Sequence, residues 1–181
     1  MNMTKSLAKR LAIFSIPLLI LVGMTVSPMM TFYSGEEVQL KTAPIDPRDL
    51  FRGDYVTLSY EIEKISKEKV DEAVLEAIAK EPQRGVKEMR VYTILKANSS
   101  GIFEAERVVL QKPINGTIFI EGTYNLWQYS GDELYISYNL DKFFVAENTG
   151  MELEKGSREG SAVATVKVRN GHSYLTDVKL P

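Results

Sequence analysis

Leu11–Tyr33 contains no charged residue. A run of that length spans a hydrocarbon core of roughly 30 Å as a helix. Lys5, Lys9 and Arg10 precede it, and Glu36 and Glu37 follow it. The basic flank is expected to stay cytoplasmic and the remainder to face outward. Pro17 is tolerable inside a membrane helix. A cleaved signal peptide is the rival reading, but its apolar core runs about 7–15 residues and ends in a small-residue site. Val26-Ser27-Pro28-Met29 is a poor site of that kind, so an uncleaved signal anchor is favoured. The expected organisation is a basic tail at 1–10, a transmembrane anchor at 11–33 and an exported domain at 35–181.

After the anchor the periodicity changes. Val38–Lys41 reads as a short strand ending before Pro44. Asp46–Phe51 reads as a turn or a single helical turn, with Asp46 as N-cap and Pro47 at the first helical position. Asp54–Glu63 alternates, with Val56, Leu58, Tyr60 and Ile62 on one face, as a half-buried strand does. Ser66 is expected to cap a helix reaching about Lys80, with Val70, Ala73, Val74, Ala77 and Ile78 on its apolar face. Pro82 and Gly85 end it. Met89–Lys96, the Asn98–Gly101 turn and Phe103–Leu110 form a hairpin. Thr117–Glu121 and Glu133–Asp141 are further strands, and Glu147–Lys155 suggests a short helix. Ala162–Val168, Asn170-Gly171 and Tyr174–Leu180 form a last hairpin.

This order of elements repeats, and so do the residues. GDYVTLSYEIEKI (53–65) aligns with GDELYISYNLDKF (131–143). TILKANSSGIFEAERVVL (93–110) aligns with ATVKVRNGHSYLTDVKL (164–180), with one residue fewer in the second turn. The chain thus reads as an internal duplication, about 36–112 and about 113–181. The expected fold is mainly β, α+β by count. It is a duplicated barrel or two-sheet domain of about eight strands with one clear helix, placed after the membrane helix.

The duplication separates scaffold from candidate site. Gly53-Asp54 recurs as Gly131-Asp132, which suits a turn entering a strand. Tyr60 recurs as Tyr138 on the apolar face, as core. Asp46-Pro-Arg-Asp-Leu-Phe-Arg52 has no charged counterpart in Tyr124–Ser130, and Tyr55 aligns with Glu133. The candidate binding residues are therefore Asp46, Arg48, Asp49, Arg52, Asp54 and Tyr55. The arginines suit a carboxylate or phosphate; the aspartates suit a cation. The alternative is a solvated turn in which these charges pair with one another. Tyr124, Trp127 and Tyr129 suit a partner surface if exposed and a core if buried.

Composition narrows the chemistry. The chain is 25% charged and 44% hydrophobic, and its net charge of -2 leaves no electrostatic footprint for nucleic acid. No acidic residue precedes Glu36, so the exported domain alone is mildly acidic. There is no Cys, which removes disulfides, thiolate metal sites and a Cys nucleophile. The single His172 rules out a two-His metal site. No cofactor and no metal is expected. Asn98-Ser-Ser and Asn115-Gly-Thr match the glycosylation acceptor pattern.

Pro44-Ile-Asp-Pro-Arg-Asp-Leu-Phe-Arg-Gly-Asp-Tyr-Val-Thr-Leu-Ser-Tyr60 resembles the signature of the GDYXXLXY protein family. Gly53, Asp54, Tyr55, Leu58 and Tyr60 fill every named position. Phe143–Gly150 is similar to a second family segment, with Ala146 where Pro is expected. The resemblance implies a bacterial or archaeal membrane-anchored protein. It also implies a multipass membrane protein as partner, because such proteins tend to be encoded beside family members. It implies no activity. The expected function is a non-enzymatic, extracytoplasmic accessory or binding domain. One alternative is an envelope binder of sugar or cation. Another is an anchored Ser-Lys hydrolase resembling signal peptidase, with Ser27 as nucleophile and no lysine marked as its partner.

Overall fold

The structure, a computed structural model, describes residues 2–44, 55–80, 88–114, 116–125, 132–144, 155–156 and 159–180. An N-terminal helix, α1 (Asn2–Ser34), leads into ten described strands and a second helix. The strands are β1 (Glu36–Lys41), β2 (Tyr55–Thr57), β3 (Lys64–Ser66), β4 (Glu88–Ala97), β5 (Phe103–Val109), β6 (Phe119–Asn125), β7 (Glu133–Ser137), β8 (Lys142–Phe144), β9 (Val163–Arg169) and β10 (His172–Lys179). Helix α2 is Glu72–Lys80. The strands form the ladders β1-β9-β10, β2-β8 and β3-β7-β6-β4-β5. Bridges at Thr42–Tyr60, Gln39–Ile102 and Ile120–Gly171 join them into a nearly closed barrel. The fold is mainly β, as expected.

The two copies interleave. β1 of the first copy pairs with β9 of the second, and β6 of the second with β4 of the first. The duplicated motif strands pair antiparallel across the copies. Val56 faces Phe143 and Thr57 faces Lys142 in β2–β8. Exchanging the copies turns these pairs into Leu134–Ile65 and Tyr135–Lys64, which are the pairs of β7–β3. The hairpins match down to their irregularities. β4–β5 slips between Ile94–Arg107 and Leu95–Ala105, leaving Glu106 as the extra residue. β9–β10 slips between Thr165–Asp177 and Val166–Leu175, leaving Thr176. Those residues occupy the same positions of the aligned hairpins. A shared β-bulge is a built feature of a strand pair rather than an accident.

Alternation explains which faces are inside. Val38 and Leu40 of β1 are fully buried, as are Ala164 and Val166 of β9. Leu58, Tyr60 and Ile62 are buried in the first copy, and Leu134, Ile136, Tyr138 and Leu140 in the second. Neither motif continues as one strand, however. The expected Asp54–Glu63 strand stops after Thr57, and Glu61–Glu63 makes one 3-10 turn before β3 begins. In the second copy Asn139 takes a positive φ of 56° and separates β7 from β8. Asn tolerates that region through its short polar side chain. Both expected strands are cut short, and β3 and β8 begin beyond their expected ends, at Lys64 and Lys142, so the described residues hold ten strands where about eight are expected.

Helix α2 is also shorter than its periodicity predicts. Ser66 precedes a 3-10 turn at Lys67–Lys69 and makes no side-chain cap. Val70 bridges to Val108, and Asp71 N–H donates to Val108 O at 3.0 Å. That pairing holds residues 70–71 extended, so α2 starts at Glu72. Val74 is its buried residue, while Ala73 is exposed. Lys155–Gly156 is helical, and the rest of the expected helix at 147–154 lies outside the described residues.

At the break in each motif a tyrosine crosses to the other copy. Tyr60 Oη donates to Leu140 O at 2.9 Å, and Tyr138 Oη donates to Ile62 O at 3.0 Å. These bonds are equivalent under exchange of the copies. Tyr138 has a second partner, Thr93 Oγ1 at 2.7 Å. Since a phenol has one proton and Ile62 O takes it, Thr93 is the donor there. Burial pushes both phenols far above their ordinary pKa, so they remain neutral donors. Gly122 makes room for the second ring: a Cβ there would lie 2.5 Å from Ile136 Cγ2 and 2.8 Å from Tyr138 Cε1.

Replacing Tyr138 with Phe is expected to cost about 1–3 kcal/mol, because it strands a buried carbonyl and a buried hydroxyl. Tyr60→Phe, which orphans only Leu140 O, is expected to cost less. Thermal unfolding in detergent checks the order; equal losses would contradict it. Gly122→Ala is expected to cost about 1–3 kcal/mol by overpacking the Tyr138 ring. An unchanged melting temperature would show that the ring can move aside.

Candidate functional site

Asp46, Arg48, Asp49, Arg52 and Asp54 lie outside the described residues. For Tyr55 the main chain is described: it heads β2 and pairs with Phe144. The structure does define the two ends of this copy-specific segment. Upstream, Thr42 N–H and Oγ1 both donate to Ala162 O, at 3.0 and 2.9 Å. Ala43 N–H donates to Ser59 O at 2.8 Å. Pro44 packs against Gly160, where φ is +64° and a Cβ would lie 2.7 Å from Pro44 Cδ. Downstream, β2 is held by β8. Both ends are thus fixed on the junction between the copies. Eighteen positions separate Thr42 from its partner Tyr60, against sixteen from Gly122 to Tyr138. The first-copy connection is two residues longer, and it carries the charge.

The cavities among the described residues include three of about 250–290 Å3. One of about 250 Å3 is lined by Lys41, Glu61, Lys64, Lys69, Glu104 and Glu133 among others. Its charges are largely paired within the fold. Lys41 Nζ meets Glu61 Oε1 at 2.6 Å, Lys64 sits 5.5 Å from the Tyr135 ring centre, and Lys69 Nζ donates to Ala105 O at 2.9 Å. A second of about 280 Å3 lies between α1 and β10, lined by Ser27, Pro28, Thr31, His172, Ser173 and Tyr174. Among the described residues Ser27 therefore shares its cavity with no lysine. The third, about 290 Å3, opens beside Ser34 and Glu36. No group of three or more His, Asp or Glu among the described residues is arranged to hold a metal ion. Of the aromatic candidates, Tyr124 is fully buried core, and Trp127 and Tyr129 lie outside the described residues. Asn98 serves its turn: Oδ1 accepts from Ser100 N and Ile102 N at 2.9 and 3.1 Å.

One titratable group on the polar side of the motif is half-buried. Glu63 Oε2 accepts from Ser59 Oγ at 2.6 Å and from Tyr60 N at 3.2 Å. This caps the 3-10 turn and fixes the backbone from which Tyr60 projects. Desolvation raises the Glu63 pKa above its ordinary 4.5, and the nearby Asp141 adds to the rise. The bonds from Ser59 and Tyr60, and the Lys64 charge, oppose it. Asp141 is the residue aligned with Glu63 in the second copy, so the repeat itself contained the signal of a facing acid pair. Glu63 lines none of the three cavities, and its role is to hold the motif's turn.

Because folding raises this pKa, the native chain binds the proton more tightly than the unfolded chain does. That contribution is complete below the ordinary value of 4.5 and is lost as pH rises through the native one. Glu63→Gln is therefore expected to gain stability relative to the parent as pH rises between about 4 and 8. Melting curves across that range test it; a constant difference would remove Glu63 from the pH response.

The family model described as GDYXXLXY protein matches residues 17–178. No curated protein and no solved structure matches the chain. The matched span takes in most of α1, the interleaved barrel and both copies of the motif, and with nearly the whole length covered the chain belongs to the GDYXXLXY protein family.

Proposed function

We propose that this protein is a membrane-anchored, extracytoplasmic accessory domain that engages a multipass membrane protein without catalysing a reaction. The observation that carries the reading is the junction of α1 with the barrel. Ile13–Ser34 is long and apolar enough to cross a membrane, with a mean hydropathy of 2.0, and its side chains from Ile13 to Met30 are exposed. Only its last turns touch the barrel. Thr31 is 3% exposed, and the Phe32 ring meets Tyr174 edge-on at 5.5 Å. Gly35 N–H donates to Thr31 O at 2.9 Å, and a Cβ on Gly35 would meet that oxygen at 2.3 Å. Cleavage of a signal peptide near this point would strip a packed element from the barrel. The hydroxyls of Thr25, Thr31 and Ser34 donate to carbonyls one turn back, which suits a segment without water to bond.

The engaging surface in this reading is the charged segment Asp46–Tyr55. β1 carries the chain about 20 Å from the helix end before that segment begins, at the 3.2–3.4 Å rise of a strand. Lys5, Lys9 and Arg10 support a cytoplasmic tail and an outward-facing barrel.

The Cys-free chain makes both parts testable. A membrane-impermeant maleimide on intact cells is expected to label Lys179→Cys and not Ser6→Cys; the reverse pattern would reject the topology. Combined Arg48→Ala, Asp49→Ala and Arg52→Ala is expected to abolish the main crosslink to a membrane protein while the melting temperature stays unchanged. A retained crosslink would reject the segment's role.

A further inference from the structure

Two stretches, one running from the end of the first copy into the second and one within the second, are brought beside the point where α1 ends. The loop after β5 and the turn of the β9–β10 hairpin both line cavities shared with the helix end: Lys112 and Arg169 with Ser34 and Glu36, and His172 with Thr31. Within that loop Ile114 is 87% exposed, an extreme value for a large apolar side chain on the barrel. Pro113 precedes it, and Gly116 follows with φ +96°. Lys112 Nζ lies 6.0 Å from the Phe119 ring centre. Phe32, Tyr33 and Tyr174 form two edge-on ring contacts at the same level. Aromatic rings of this kind favour the membrane–water boundary.

We propose that this end of the barrel rests on the bilayer leaflet from which the anchor emerges. Ile114 dips into the interfacial layer, and Lys112 and Arg169 meet the phosphates of anionic phospholipids. The inference builds on the anchor reading. If α1 spans, its last turn lies at the headgroups, and the groups that share cavities with Ser34 and Thr31 lie there too. An exposed isoleucine just after a proline, with two cations nearby, is what that layer accepts: apolar area inserts shallowly while the charges stay at the phosphates. Glu36 lines the same cavity as the two cations and leaves them in excess by one. The opposite end of the barrel, where Lys41 and Lys179 both pair with Val163, then points away from the membrane. About 23 Å of strand separates Lys179 from His172.

The test uses the full chain in vesicles of phosphatidylcholine and phosphatidylglycerol. Single-cysteine variants Ile114→Cys, Leu19→Cys and Lys179→Cys carry an environment-sensitive fluorophore, and nitroxide lipids report its depth. The Ile114 probe is expected to be blue-shifted and quenched by shallow nitroxides, the Leu19 probe by deep ones, and the Lys179 probe by neither. Adding Lys112→Glu and Arg169→Glu is expected to remove most of the quenching at Ile114. A Leu19 probe that is quenched beside an Ile114 probe that is not would overturn the resting face and leave the anchor standing. Loss of quenching at Leu19 as well would overturn both. Full quenching at Ile114 despite the charge reversals would overturn the role of the anionic lipids.

Discussion

Two tyrosine hydroxyls, each given to a carbonyl of the other repeat, hold the centre of this molecule. Tyr60 reaches Leu140 and Tyr138 reaches Ile62 at the point where each motif strand breaks. A strand that breaks inside a core frees polar backbone groups that water cannot reach, and such groups are costly unless paired. The tyrosines meet that need while their rings fill the barrel. Because the donors are supplied by the opposite copy, neither copy can complete its own break. The same dependence appears in the sheets, where each copy's first strand is hydrogen-bonded to the other's hairpin. The two copies therefore fold as one cooperative unit.

Against that shared frame the differences between the copies carry the specialisation. At the strand break one copy uses a 3-10 turn capped by Glu63, and the other a single left-handed Asn139. Opposite the tyrosine one copy has Thr42, bonded to Ala162, and the other Gly122, which admits the ring. The first copy carries the longer, charged connection and is joined to α1. The second supplies Ile114, Arg169 and His172 beside the end of that helix. Duplication built the scaffold, and divergence at its two ends left surfaces free to be used.

Much of the fold was legible in the residues. Period-two alternation located the faces of the main strands, and Gly and Asn marked the turns. The alignment of 53–65 with 131–143 anticipated a duplication that the ladders repeat pair by pair. Less was legible of the breaks. Leu58, Tyr60 and Ile62 keep alternating through a 3-10 turn, because burial, which alternation reports, persists where the hydrogen-bond ladder does not. The start of α2 was misplaced for a related reason: Val70 has helical spacing, yet its contact with Val108, distant in sequence, holds it extended. The candidate site, Asp46 to Tyr55, rests on the contrast between repeats alone, since all of it but the main chain of Tyr55 lies outside the described residues.

The sequence by itself determined the apolar helix, the mainly β domain, the duplication and the family, since all four rest on local pattern or on residue identity. Only the tertiary structure decided how the copies interleave, which tyrosine bonds which carbonyl, why position 122 is glycine and which loop lies beside the end of α1. Those outcomes depend on contacts between residues far apart in the chain, whose energies no local period encodes.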